Sequence, residues 1–167
     1  MSWLRKSKVG SQSVSDCTNS ILYSEKTFYN KFEQDLLKAK EEVIIESPYI
    51  TIPRLNKLKY VFQKLVDRGV EVFIVTRDPR EHDQAMAAQA EAGIKYFEVL
   101  GVQVLLVGGG HHRKLAMIDR KLLWEGSLNI LSQSYSREFM RRIESEKLTE
   151  EMFRFLKYDE VGFLRKD

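Results

Sequence analysis

The chain has 167 residues, with 27 Lys and Arg against 24 Asp and Glu and a single cysteine. That length suits one domain with a buried core, and a net charge of +3 permits a polyanionic partner without demanding one. The lone Cys17 excludes an intrachain disulfide and a cysteine-built zinc site, and no apolar run is long enough to cross a bilayer.

Residues 1–20 are rich in Ser and Lys with little periodicity, and read as a flexible arm or the remnant of a link to something larger. Their basic residues have no apolar segment behind them, so the start is not read as a secretory signal and the cytoplasm is the expected location. Residues 21–167 read as one folded domain. A helix is expected from Ser24, as cap, to about Ala39, with Phe28, Phe32, Leu36 and Leu37 on one face. Val43-Ile44-Ile45 reads as a buried strand ending at Ser47-Pro48. A second helix spans roughly Pro53 to Arg68, burying Leu55, Leu58, Val61, Phe62 and Leu65, and Gly69 is placed to end it. Val70 to Thr76 is the next strand. Asp78-Pro79 through Leu100 reads as a turn and a third helix, closed by Gly101 and followed by a strand from Val102 to Val107. Strands are expected at Lys114 to Ile118 and at Leu122 to Trp124, joined by a turn at Arg120-Lys121. A further strand at Phe139 to Ile143 and a last helix from Leu148 to Tyr158 complete the chain. Strands alternating with helices, then antiparallel strands, predict an α/β fold: a mixed sheet flanked by helices on both faces.

One stretch carries the chemistry. His112, Lys114, Asp119, Gly126, Ser127 and Asn129 form the pattern H-x-K-x4-D-x6-G-S-x-N. On a strand, His112 and Lys114 emerge on one face, so an imidazole and an ammonium share a site with a side-chain amide. A phosphodiester is anionic and resists attack; it needs charge neutralisation, a nucleophile and a protonated leaving group.

The six positions in register resemble the HKD signature of the phospholipase D superfamily, and the resemblance runs from the first helix to the strand after Asn129. It implies a phospholipase D-like catalytic domain and a metal-independent phosphodiesterase needing no cofactor. No second H-x-K occurs in the chain. Small single-signature members are nucleases and related phosphodiesterases whose site is shared by a two-fold homodimer. Carried over, His112 attacks phosphorus in one protomer and serves as acid in its mate, Lys114 and Asn129 bind the phosphate, and Ser127 supports the site. Asp119 matches the motif aspartate, with a structural task, and Glu138 falls about where some members keep a glutamate that orients the histidine, Glu144 and Glu146 being alternatives. The implied partner is nucleic acid, DNA ahead of RNA, with a place in a larger DNA-processing or defence assembly left open. A phospholipid phosphodiesterase, or a dimeric nucleic-acid-binding module with a decayed site, are the competing readings.

Other residues have plainer explanations beside the functional one. Arg77 and Arg80 follow the carboxyl end of a strand, where open α/β sheets bind ligands, and with Arg137, Arg141 and Arg142 they are candidate phosphate contacts or simply a solvated face. Tyr49 and Tyr135 lie in loops and are candidates for base stacking or for core or rim packing, whereas Trp124 reads as core. His111 faces away from His112 and reads as a surface or packing residue. Gly108-Gly109-Gly110 reads as a flexible turn more readily than as a phosphate cradle, and Glu81-His82-Asp83 as an acidic helix start more readily than as a metal cluster.

Overall fold

The computed structural model describes residues 19–161. Its strands are β1 (Ser20–Ser24), β2 (Glu42–Glu46), β3 (Glu71–Arg77), β4 (Gln103–Val107), β5 (Leu115–Ile118), β6 (Leu122–Gly126) and β7 (Phe139–Glu144). Its helices are α1 (Phe28–Leu36), α2 (Ile52–Asp67), α3 (Gln84–Leu100) and α4 (Glu146–Phe155), with a short 3-10 turn over Pro79–Glu81. The strands make one sheet in the order β1-β7-β6-β5-β2-β3-β4. Pairing is parallel for β2-β3 and β3-β4 and antiparallel elsewhere, which is the mixed α/β sheet the sequence predicts.

Alternation along the strands divides two cores. Val43, Ile45, Val72, Ile74, Ala116, Ile118 and Trp124 face one side, where Phe28 and Phe32 of α1, Leu58 and Phe62 of α2 and Phe97 of α3 cover them. Ile44, Phe73, Val75, Leu115, Met117 and Leu123 face the other, under Phe153 of α4 and Tyr158. Burying both faces excludes water from the middle strands and leaves the reactive groups to the sheet's edge loops. Helix ends follow local rules: Asp83 and Ser145 accept from Met86 and Leu148 N–H as N-caps, and Gly101, at φ +92°, takes the left-handed turn that ends α3.

Two expectations change near the start. Ser24 does not cap the first helix; it closes β1, whose residues pair with β7 from Ser20↔Ile143 to Ser24↔Phe139. The next residues turn, with Thr27 N–H donating to Ser24 O at 3.0 Å, so α1 begins at Phe28. The arm expected over 1–20 lies, up to residue 18, outside the described residues, as do residues 162–167.

Candidate active site

Five segments converge at one edge of the sheet: the carboxyl ends of β2, β3 and β6 and the amino ends of β5 and β7. After β4 the chain turns through Gly109 and Gly110, at φ +75° and +73°, and enters β5 at Leu115. Glu81 fixes that turn by accepting from Gly109 N–H at 2.7 Å and Gly110 N–H at 3.1 Å. Those bonds hold the Glu81 carboxyl below its usual range, and they occupy amides that a phosphate cradle would need. Arg77 then grips the next carbonyl, its Nε and Nη2 donating to His111 O at 3.0 and 2.8 Å.

His112 and Lys114 follow, just before β5 rather than on it, and their side chains meet: Lys114 Nζ lies 2.8 Å from His112 Nδ1 and donates to His112 O at 2.7 Å. Ser127 and Asn129 arrive from the end of β6. Gly126 is required there, because a Cβ would stand 2.2 Å from Phe139 O and 2.9 Å from Met140 Cα. That close approach lets Ser127 N–H donate to Phe139 O at 3.0 Å and Phe139 N–H to Ser127 Oγ at 3.2 Å. The Ser127 hydroxyl in turn donates to the Glu138 carboxylate. His112, Lys114, Ser127, Asn129 and Glu138 line one open cleft of about 680 Å³, together with Arg141. Its far wall is apolar, formed by Phe139, Met152, Phe155 and Leu156. Asn129 Oδ1 is buried and, among the described residues, has no hydrogen-bond partner.

The electrostatics favour a neutral imidazole. The Lys114 ammonium, then partial burial and Arg77, push His112 below its ordinary value. Burial lowers Lys114, which the Glu138 carboxylate opposes. A neutral ring accepting at Nδ1 carries its proton on Nε2, so Lys114 must leave Nδ1 before Nε2 can act as a nucleophile. A phosphate would draw the ammonium away. Glu138 does not contact His112 within this chain; its partner is Ser127.

The remaining expected residues divide between the site, its supports and elsewhere. Tyr49 borders the cleft, its ring 6.4 Å from that of His112, and its hydroxyl accepts from Arg77 at 3.2 Å. Arg77 is therefore a brace of the signature loop. Arg80 is exposed and bound to Asp78, Nε to Oδ1 at 3.0 Å. Arg137 is exposed beside Glu138, and Tyr135 is 96% exposed, so it packs against neither core nor rim. Arg142 is no phosphate contact: its Nε donates to buried Asp35 of α1 at 2.7 Å and its Nη1 to Glu144 at 3.1 Å. Asp119 is outside the cleft, at the opposite end of β5. Its carboxylate accepts from the N–H groups of Lys40, Glu41 and Glu42 at 3.0, 2.9 and 3.0 Å. His111 is buried, not at the surface, and Trp124 is core.

Sequence reasoning missed Glu46. This wholly buried carboxylate takes both Arg113 donors, Nε at 2.7 Å and Nη2 at 3.2 Å, as well as the Tyr158 hydroxyl. The available signal was a glutamate ending the apolar run Val43-Ile44-Ile45, since a buried carboxylate calls for a cation, and Arg113 stands between His112 and Lys114.

A mixed sheet under helices on both faces, with an H-x-K pair, a G-S-x-N turn and a glutamate gathered at one edge, defines a phospholipase D-like domain. Residues 32–159 match the sequence model of the family described as "Cardiolipin synthase, PLD-like domain", and the chain belongs to that family. Comparison with curated proteins gives no match. Among solved structures, Nuc from Salmonella typhimurium, a phospholipase D family member, has a TM-score of 0.65 at 19% identity, over 81% of this chain and 91% of that one. NucT from Helicobacter pylori gives 0.64 at 18% identity over the same shares of the two chains. Phosphatidylserine synthase from Haemophilus influenzae gives 0.66 at 16% identity, over 86% of this chain and 38% of that one. At these identities the likeness is one of fold.

Proposed function

We propose that the protein is a metal-independent nuclease that cleaves phosphodiesters through a phosphohistidine, in a site completed by a second copy. One observation carries the reading: the cleft gathers His112, Lys114, Ser127, Asn129 and Glu138 around a single imidazole. The other two histidines are turned elsewhere, His111 toward Glu46 and His82 behind Tyr49. In-line displacement needs a nucleophile on one side of phosphorus and an acid on the other. A two-fold axis through the cleft supplies both from one sequence. The exposed apolar wall, with Phe139 at 48% and Phe155 at 78%, is the kind of surface that a partner buries.

In the proposed sequence Nε2 of His112 attacks phosphorus, and the bond to the leaving oxygen breaks as that oxygen takes a proton from the partner's imidazolium. Water then attacks the phosphohistidine while the partner's imidazole, now neutral, takes its proton. The products are an alcohol and a phosphate monoester, and His112 is regenerated. Lys114 and Asn129 hold the non-bridging oxygens, which supplies the charge neutralisation that a divalent ion would otherwise bring. Arg141, which lines the cleft, and the exposed Arg137 would contact the strand beyond the scissile bond.

The test is incubation with single- and double-stranded DNA and RNA in excess EDTA, beside sedimentation of the protein. A dimer that cleaves nucleic acid and loses cleavage in His112→Ala supports the reading. A monomer that cleaves, or cleavage abolished by chelation, counts against it. Likeness to a phosphatidylserine synthase and the aromatic wall favour a second reading, a lipid phosphodiesterase. Vesicles of phosphatidylcholine and cardiolipin, hydrolysed in preference to nucleic acid, are its signature.

A further inference from the structure

The residues on either side of His112 converge on one buried acid, Glu46, that lies outside the cleft. Before it, the His111 ring is buried with Nε2 3.7 Å from Glu46 Oε2, while the His111 carbonyl is clasped by Arg77. After it, Arg113 lays a two-pronged hydrogen bond on Glu46, at 2.7 and 3.2 Å. Glu46 is itself the last residue of β2, paired in register with Leu115, so its backbone is fixed at the point where the signature enters β5. The Tyr158 hydroxyl reaches the same carboxylate from the turn after α4, the helix that lends Met152 and Phe155 to the cleft wall.

We propose that Glu46 is a positioning residue for His112: by tethering Arg113 and crowding His111 it fixes the imidazole against Lys114 and registers α4 to the cleft. The inference rests on the reading of His112 as the attacking base. Burying a carboxylate is costly unless it is paired and hydrogen-bonded, and a hydrophobic side chain of similar size would fill the space under α4 more cheaply. A fork of two hydrogen bonds fixes the direction of Arg113 as a single point charge would not. Burial, only partly opposed by Arg113, leaves the Glu46 carboxyl above its ordinary value. Glu46 does not itself line the cleft, although Arg113, which it holds, does. It acts only through its neighbours.

The test compares Glu46→Gln, Arg113→Lys and Glu46→Asp with the wild type and His112→Ala, using bis(4-nitrophenyl) phosphate as substrate and nuclear magnetic resonance to titrate His112. Cleavage by the wild type and none by His112→Ala establishes the underlying reading. Against that background, Glu46→Gln and Arg113→Lys are expected to lose on the order of 10- to 100-fold in kcat with KM unchanged, the cost of a reacting group displaced by about 1 Å or less. Glu46→Asp, which keeps the charge, recovers part of the loss. The His112 titration rises in both impaired variants, because Lys114 is no longer held against the ring. That shift is readable even on a protein that cleaves nothing, so failure of the reading and failure of the positioning role are separate results. Arg113→Lys retains a cation for the buried acid and carries the test if Glu46→Gln does not fold. Unchanged kcat and unchanged His112 titration in the folded variants overturn the proposal. So does a loss confined to KM, which would make Arg113 a substrate contact.

Discussion

Lys114 Nζ stands 2.8 Å from His112 Nδ1, so an ammonium and an imidazole share a hydrogen bond that exists only while the ring is neutral. Protonating His112 breaks it and sets two cations together. The ring's pKa is accordingly below the ordinary histidine value, with Lys114 the largest cause. In the wild type, the His112 ring is expected to titrate below about 6.5, the model-peptide value. Lys114→Met removes the cause and moves the titration upward, as read from ring-proton shifts. In a two-fold site the two rings titrate as a coupled pair, so the bell of kcat/KM lies toward acid in the wild type. A His112 midpoint unmoved by Lys114→Met would mean that the contact is not kept in solution.

Asp119 separates stability from catalysis. Its carboxylate accepts from three successive backbone N–H groups leading into β2, and its own φ is +51°. Asp119→Ala strands those donors and places alanine in the left-handed region, with an expected cost of about 2–3 kcal/mol in urea unfolding. Asp119→Asn keeps an acceptor and tolerates that φ, so it costs about 1 kcal/mol. Turnover per folded molecule stays within about twofold in both variants, because the carboxylate lies at the far end of β5.

Gly126→Ala is expected to damage both. The added Cβ meets Phe139 O at 2.2 Å and Met140 Cα at 2.9 Å, backbone atoms that cannot swing aside as a side chain would. Relief requires β6 and β7 to part where Ser127 and Glu138 are joined. The expected destabilisation is about 3 kcal/mol, with activity lost beyond what the unfolded fraction explains. Calorimetry and turnover on one sample distinguish the two contributions.

Glu138 and Ser127 act as a pair. Glu138→Gln removes the carboxylate that opposes the lowering of Lys114, so the Lys114 titration is expected to fall further, as followed on a carbon-13-labelled lysine side chain. Ser127→Ala removes a donor to Glu138 and should leave the melting temperature within a few degrees while kcat falls on the order of 100-fold. Equal loss in the double variant and either single one would show that the two groups work as a unit.

Much of this was legible in the sequence, for reasons visible in the residues. Strands β2 and β3 are apolar and β-branched because both their faces are covered, and α2 shows its period in Leu55, Leu58, Phe62 and Leu65. His112, Lys114, Ser127 and Asn129 stood in one motif, so bringing them together needed only the β5-β6 hairpin. What escaped notice depended on distant partners. Strand β1 is short, with Ile21 and Leu22 exposed, and its only pattern is its pairing to β7. Arg142 looked like a free basic residue until Asp35, far back in the chain, was placed under it. Arg77 reads in the sequence as a ligand contact, and the tasks of Arg77 and Arg113 stay hidden there because a carbonyl and a buried acid leave no local trace.

The pairing of β1 with β7 imposes an order on how the cleft comes into being. The first described strand has nowhere to dock until the last one exists, and Glu25 and Glu138 are tied across the same seam, Glu25 N–H to Glu138 O at 3.0 Å. A chain emerging from the ribosome can assemble β2, β3 and β4 with their helices while Glu138 is still unmade. Long-range pairing of this kind is slow to form. Ser127, Asn129 and Glu138 are therefore synthesised after the histidine whose cleft they complete, and a growing chain carries a half-built cleft until they have been added.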